Sequence, residues 1–276
     1  ICLSDWSSDV CSSDLIERPP HGDNARLLGK GGFEAVNRGK QSLLADLKDE
    51  AQREQVRALI AGADVVVESY RPGVMARLGL DAESLRQAHP RLIYVSLSGY
   101  GQSGPWADLP GHDINYLAAA GVLSVSGPSD GAPAQSFGLP VADLCGAMYA
   151  LSATLAALLQ RATTGQGQHL DVALADCVMH WMNPRLGAYR AGSIHTVAEQ
   201  RHSTLVKAAY GAFRCQDGHY LSIAALEDHD PPWGGLENRS GSGGRFGMLP
   251  SVGRLASGGG VPGRMPAGGG VPAKPT

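Results

Sequence analysis

Two apolar runs separated by one helix-length segment constrain this chain more than anything else in it. Ala63 to Ser69 carries Val65, Val66 and Val67 in succession, and Leu92 to Ser98 reads Leu-Ile-Tyr-Val-Ser-Leu-Ser. Continuous apolar runs of this length mark strands covered on both faces, as in parallel sheets. Between them a helix pattern starts near Asp81 and leaves at His89-Pro90, where the residue before proline is biased against helical dihedrals. Strand, helix and strand joined so closely make a right-handed parallel unit. The expected class is α/β with an open, doubly wound, Rossmann-like parallel sheet. Ligands of such sheets bind beyond the carboxyl ends of the strands, which here are Ser69 to Gly73 and Ser98 to Gly104.

The flanking sequence continues the alternation. A short extended piece ends at Ile16-Glu17-Arg18-Pro19-Pro20, and a Gly-rich loop is expected from Gly29 to Gly39. A helix is expected from near Asp46, with Leu47, Val56, Leu59 and Ile60 on its apolar face. Asp143 opens a stretch rich in Ala, Leu and Met that stays helical in composition to about Thr163 and stops at Gly165-Gln166-Gly167. Gln168 to Leu174 then reads as a strand and Asp176 to Met182 as a helix. Ala209 to Arg214 and His219 to Ala225 suggest a strand pair, joined where Asp217-Gly218 favours a hairpin turn.

Four segments follow from this. Residues 1–15 repeat Ser-Asp around Trp6 and Cys11 without a period of two or 3.6 and look like translated adapter sequence. Residues 16–195 form a large α/β domain, and 196–228 begin a smaller one. Residues 229–276 carry Gly, Pro, Ser and Arg with few apolar side chains; such a segment buries too little surface to offset chain entropy. The expectation is a disordered tail, from out-of-frame reading of the gene in the first place and a natural flexible tail in the second.

Composition narrows the partners. A net charge of -3 and a pI near 6.3 give no field to hold a polyanion, so nucleic acid is excluded and a phosphate-bearing ligand must be met by local Arg and Lys. The five cysteines are odd in number and lack metal-ligand spacing, which points away from disulfides and zinc. No run is expected to reach the roughly 18 apolar residues of a spanning helix. A soluble cytoplasmic protein with no membrane contact fits these features. Asn37-Arg38-Gly39-Lys40-Gln41 is not a phosphate-binding Walker loop, because the spacing to Gly32 is wrong and Gln41 replaces Ser or Thr.

The chemistry concentrates in Gly111-His112-Asp113-Ile114-Asn115-Tyr116 and, 31 residues after His112, Asp143 in Leu139-Pro140-Val141-Ala142-Asp143-Leu144. An imidazole and a carboxylate at two helix starts make a proton-transfer pair. Asp143 also reads as a helix cap; the roles are compatible, since backbone N–H groups at a helix start hold an ionised carboxylate. His112 precedes Asp113, the expected cap of its own helix. Nearby helix N-termini are candidates to stabilise an enolate oxygen.

These motifs, with the sequence from about Leu15 to Asp228, resemble the family III CoA-transferase superfamily of the CaiB/BaiF type, which includes the α-methylacyl-CoA racemases. The resemblance implies that Asp143 is the essential aspartate. In a transferase it attacks an acyl-CoA thioester, and CoA passes between carboxylic acids through an aspartyl intermediate. In a racemase, His112 and Asp143 exchange the α-proton from opposite faces of an enolate, and Glu227 supports the histidine. Glu227 read on composition alone is a solvated strand-end residue. The resemblance further implies CoA contacts from Arg18, Lys48, Ser69, Tyr70 and Arg77, although Lys48 and Arg77 alone read as solvated helix charges. It implies no cofactor beyond coenzyme A as substrate, an acyl-CoA and a carboxylic acid acceptor as partners, and an interlocked homodimer. The family opens with a strand and helix that this chain lacks ahead of Ile16 and closes the small domain beyond Asp228, so an inactive fragment is the third expectation.

Overall fold

The computed structural model describes residues 13–27, 31–127, 131–133, 138–199, 201, 210–215 and 218–224. The chain separates into two compact units, Ile1–Arg201 and His202–Thr276.

The first unit alternates strands and helices. Strand β1 spans Asp14–Glu17 and pairs in parallel with β2, Gln41–Leu44. Between them lies helix α1, Gly32–Asn37, in the segment expected to be a Gly-rich loop. Local contacts support this short helix: Phe33 is buried, the Arg26 guanidinium stacks 3.8 Å over its ring, and the Asn37 side chain donates to the Phe33 carbonyl. Helix α2 runs Glu50–Ala61, starting four residues later than the sequence suggests. Asp46 instead folds the chain into a turn by accepting from the Lys48 amide, and Asp49 caps the helix through the Gln52 amide. Its buried face is Val56 and Ile60, while Leu59 is exposed.

A second parallel sheet holds β3 (Val65–Glu68), β4 (Ile93–Ser98) and β5 (His169–Ala173) in that order, with Val66 opposite Tyr94 and Tyr94 opposite His169. The expected open parallel sheet is thus present among the described residues as two pieces, β1-β2 and β3-β4-β5. Between β3 and β4 come α3 (Val74–Arg77) and α4 (Ala82–Ala88), the latter capped by Asp81, which accepts from the amides of Glu83 and Ser84. Helix α4 ends at His89, before Pro90.

Alternation along β4 divides the core. Ile93 and Val95 are fully buried against α5 (Asp113–Ala119), α6 (Val141–Thr164) and α7 (Leu174–Trp181), together with Leu117, Ala142, Ala150 and Val178. On the opposite face Tyr94 packs with Val56 and Ile60 from α2, Leu85 from α4 and Leu80 just ahead of α4, and its hydroxyl donates to the Leu80 carbonyl at 2.9 Å. Each fully buried aliphatic side chain contributes roughly 2 kcal/mol, so both layers hold the strand ends that carry the site. Helix α8, Asn183–Arg190, follows α7.

Helix α6 is 24 residues long and apolar enough, by length and composition, to cross a membrane, contrary to the expectation of no such run. Small residues explain it: Ala142, Cys145, Gly146, Ala150 and Ala157 seat one side of the helix on the sheet. Gly165 stops the helix in the left-handed conformation.

The second unit contains an antiparallel pair, β6 (Tyr210–Arg214) and β7 (Tyr220–Ala224), with Tyr210 opposite Ala224.

Candidate active site

The site grows from the carboxyl end of β4. Gly99 follows the strand, and its carbonyl accepts from the Ala175 amide, tying the strand end to α7. The chain then loops to Gly111 and enters α5. Tyr116, one turn into that helix, is buried, and its ring lies between Gly99 and Gly111. A Cβ on Gly99 would stand 2.3 Å from the ring and one on Gly111 2.6 Å, so only glycine admits the tyrosine at either place. The Tyr116 hydroxyl donates to the Gly111 carbonyl at 2.6 Å, and Tyr100 meets the ring edge-on at 5.2 Å.

His112 occupies the cap position of α5, and Asp113 is the first helical residue; the sequence reading had Asp113 in the cap. Asn115 closes the turn by accepting from the His112 amide at 3.0 Å. Asp113 caps a different helix. Its Oδ1 accepts from the amides of Ala142 at 2.6 Å and Asp143 at 3.2 Å, both in the first turn of α6. Helix α6 itself begins at Val141, after Pro140, so Asp143 is the third helical residue and not the cap. Pro140 presets the backbone for entry to a helix, which moves the start ahead of the aspartate.

His112, Asp113 and Asp143 consequently meet at one place. Asp143 keeps solvent contact, yet its carboxyl is raised above the ordinary carboxylate range, first by partial loss of water and then by the Asp113 charge, with His112 pulling the other way. Tyr116 is raised by burial and by Asp143, against the influence of Arg71. An exposed carboxyl with raised proton affinity, an imidazole near it and a buried phenol are the kinds of group that acid/base chemistry uses. Of the helix N-termini expected as candidates for an enolate oxygen, that of α6 has its Ala142 and Asp143 amides taken by Asp113.

The expected CoA contacts distribute as follows. Arg18 is exposed just after β1, and its charge acts on the Tyr70 hydroxyl against the larger effects of burial and Glu68. Ser69 and Tyr70 are exposed just beyond β3, and Arg77 ends α3 with its guanidinium toward Gly73. Lys48 is exposed in the turn before α2, where Arg53 braces the Leu47 carbonyl. Glu227 lies outside the described residues. The structure therefore gathers His112 with Asp143, and Arg18 with Tyr70. Arg71, which sequence reading passed over, is exposed just beyond Tyr70, lines a cavity on the opposite face of the sheet, and its charge favours the ionised form of Tyr116. Its signal was available: an arginine immediately beyond a parallel strand, where ligands bind.

A cavity of about 270 Å³ opens on the other face of the sheet, lined among others by Glu68, Tyr94, Ser96, Gln102 and His169, and includes neither His112 nor Asp143. There Ser96 hydrogen-bonds His169 at 2.9 Å, and the buried Glu68 accepts from the Tyr70 amide. Among the described residues no group of three or more His, Cys, Asp or Glu is placed to hold a metal ion.

Comparison with known proteins places these features in context. The chain matches CoA-transferase family III over residues 14–233. It is 38% identical over 221 residues to the acetyl-CoA:oxalate CoA-transferase of Acetobacter aceti, covering 78% of this chain and 56% of that one. It is 37% identical over 199 residues to the human alpha-methylacyl-CoA racemase, covering 70% and 50%. A solved CAIB/BAIF family protein from Brucella suis superposes with a TM-score of 0.68 at 35% identity, covering 77% of this chain and 58% of that one. The chain spans about half the length of the curated relatives it matches.

Proposed function

This chain belongs to CoA-transferase family III, and we propose that it acts on acyl-CoA thioesters, passing CoA from one carboxylic acid to another through Asp143. The observation that carries this reading is the exposed Asp143 carboxyl in the first turn of α6, its backbone amide held by Asp113 and its proton affinity raised beside the Asp113 charge. In the proposed sequence the Asp143 carboxylate attacks the thioester carbonyl and the CoA thiolate leaves, giving a mixed anhydride. The thiolate then attacks the aspartyl carbonyl, which releases the donor acid and leaves an aspartyl-CoA thioester. An acceptor carboxylate displaces CoA from it, and the thiolate attacks the acceptor's acyl carbonyl, forming the new acyl-CoA and freeing Asp143. Arg18, Arg71 and Arg77, with Lys48, Ser69 and Tyr70, would receive the phosphates and nucleotide of CoA, since guanidinium forks suit phosphate oxygens. The reading invokes no metal or redox cofactor.

A second reading, 2-methylacyl-CoA racemisation, draws on the His112–Asp143 juxtaposition and on the raised proton affinity of Asp143. One group removes the α-proton and the other returns it, each contributing roughly 10²- to 10⁴-fold. Exposed Leu144, Met148, Leu155 and Leu159 along one side of α6 support a homodimer, for which light scattering at twice the chain mass is the expected result; a cytoplasmic location is proposed with it from the family reading.

Two assays decide between the chemistries. CoA transfer to a carboxylic acid is expected to be lost in Asp143→Ala and kept in His112→Ala. α-Deuterium uptake by a 2-methylacyl-CoA in D₂O, with no acceptor acid, is expected only of a racemase and would need both residues. A variant Asp143→Ala that retains both activities refutes the proposal.

A further inference from the structure

Asp113 stands next to His112 in sequence and bonds the backbone of Asp143, and its own helix does not use its carboxylate as a cap. The amide of His112 is satisfied by Asn115, and α5 carries Asp113 in its first turn without using it as a cap. The carboxylate reaches instead across 29 residues of sequence to the amides of Ala142 and Asp143. A helix start leaves its first amides without backbone partners, and at α6 the residue in the cap position is Pro140, which offers no side-chain acceptor. Asp113 fills that vacancy from another element and so joins the two helix starts end to end.

We propose that Asp113 is a positioning residue for Asp143: its carboxylate, shared between the Ala142 and Asp143 amides, fixes the first turn of α6 against the turn that presents His112. The inference rests on Asp143 being the reacting carboxylate. One oxygen of Asp113 holds the backbone of Asp143 itself, so any shift of Asp113 moves the reactive carboxyl relative to the imidazole. The same carboxylate places a second negative charge beside Asp143. Among the described residues, the other titratable groups acting on or acted on by Asp143 are His112, whose charge works in the opposite sense, and Tyr116, on which Arg71 also acts. Asp113 thus does two things at once, holding geometry through its oxygen and setting proton affinity through its charge, and the two can be separated by substitution.

The test compares Asp113→Ala, Asp113→Asn and Asp143→Ala in the full chain, using whichever of the transfer or exchange activities the chain displays. In Asp113→Ala, kcat is expected to fall about 100-fold, the scale of a misplacement near 1 Å, with KM within about twofold because substrate binding is untouched. Asn retains an oxygen able to accept from both amides but carries no charge. Asp113→Asn is therefore expected to recover most of kcat, and the acid limb of its pH profile is expected to move to lower pH, because the charge that raised Asp143 is gone. Far-UV circular dichroism reports folding; where Asp113→Ala loses helix, Asp113→Asn decides alone through its limb. Activity surviving in Asp143→Ala overturns the functional reading and this inference with it. Activity lost in Asp143→Ala but unchanged in Asp113→Ala overturns this inference alone, as does an acid limb unmoved in Asp113→Asn.

Discussion

Two carboxylates at the ends of secondary-structure elements, Glu17 and Asp143, have opposite surroundings. Glu17 closes β1 with its side chain out of water. Arg26 grips both of its oxygens at 2.6 and 2.7 Å, the Asp23 amide donates at 2.8 Å, and the Ser42 hydroxyl donates as well. Arg26 above all, with Ser42 and the Asp23 amide, outweighs desolvation and holds its pKa down to about 2. Asp143 is more exposed yet is pushed the other way, by lost water and by a like-charged neighbour. Exposure alone therefore does not rank the two; the sign of the neighbours does. A carboxylate with every lone pair engaged fastens β1 to β2 and has nothing left for a substrate. One placed beside another carboxylate and an imidazole has capacity to spare.

Exchanging the two roles by mutation offers the largest effect. Asp143→Ala should abolish turnover while leaving the thermal midpoint no lower, since a carboxyl with raised proton affinity stabilises nothing at neutral pH. Glu17→Ala should lose about 2 kcal/mol of stability, the scale of charged hydrogen bonds, measured by urea unfolding. The sign with pH follows from the depressed pKa: the Glu17 contribution is fully present above about 4.5 and is lost as pH falls toward about 2. Equal loss of stability in the two variants would break the comparison.

Gly99→Ala should act between these extremes. Its Cβ would meet the Tyr116 ring at 2.3 Å, and forced overpacking costs about 1–3 kcal/mol. Because α5 carries both Tyr116 and His112, turnover should fall together with the thermal midpoint; a fall in the midpoint alone would separate the packing of Tyr116 from the site.

The smallest effect is expected at Glu68, a third strand-end carboxylate. It is 5% exposed, and burial raises its pKa despite help from Ser96 and the Tyr70 amide. A raised folded pKa means that its contribution is present below the ordinary carboxylate range and lost as pH rises. Glu68→Gln should therefore raise the thermal midpoint by a few degrees at pH 7 and make no difference near pH 4. A destabilised Glu68→Gln at pH 7 would show that the charged form is better paired than its surroundings indicate.

Much of this was legible along the chain because the signals are local. Val65 to Val67 and Ile93 to Ser98 announce buried strands by composition, Asp81 caps the helix it precedes, and Gly165 ends the helix it follows. The errors fall where a contact from elsewhere changes a boundary. Asp46 turns back on its own backbone and delays α2, and the Arg26–Phe33 contact helps to hold a helix within a glycine-rich stretch.

The sequence by itself determined the alternation of elements, the family, and the presence of an imidazole and a carboxylate at two helix starts, since each depends on residue type and on spacing within a few turns. Tertiary structure alone decided that those starts touch, that Asp113 caps α6 and not its own helix, and that the proton affinities of Glu17 and Asp143 shift in opposite directions. The physical reason is range. Helical and strand periodicity is written in neighbours, whereas a proton affinity is set by whichever charges and dipoles folding brings within a few ångströms, here from as far as 30 residues along the chain.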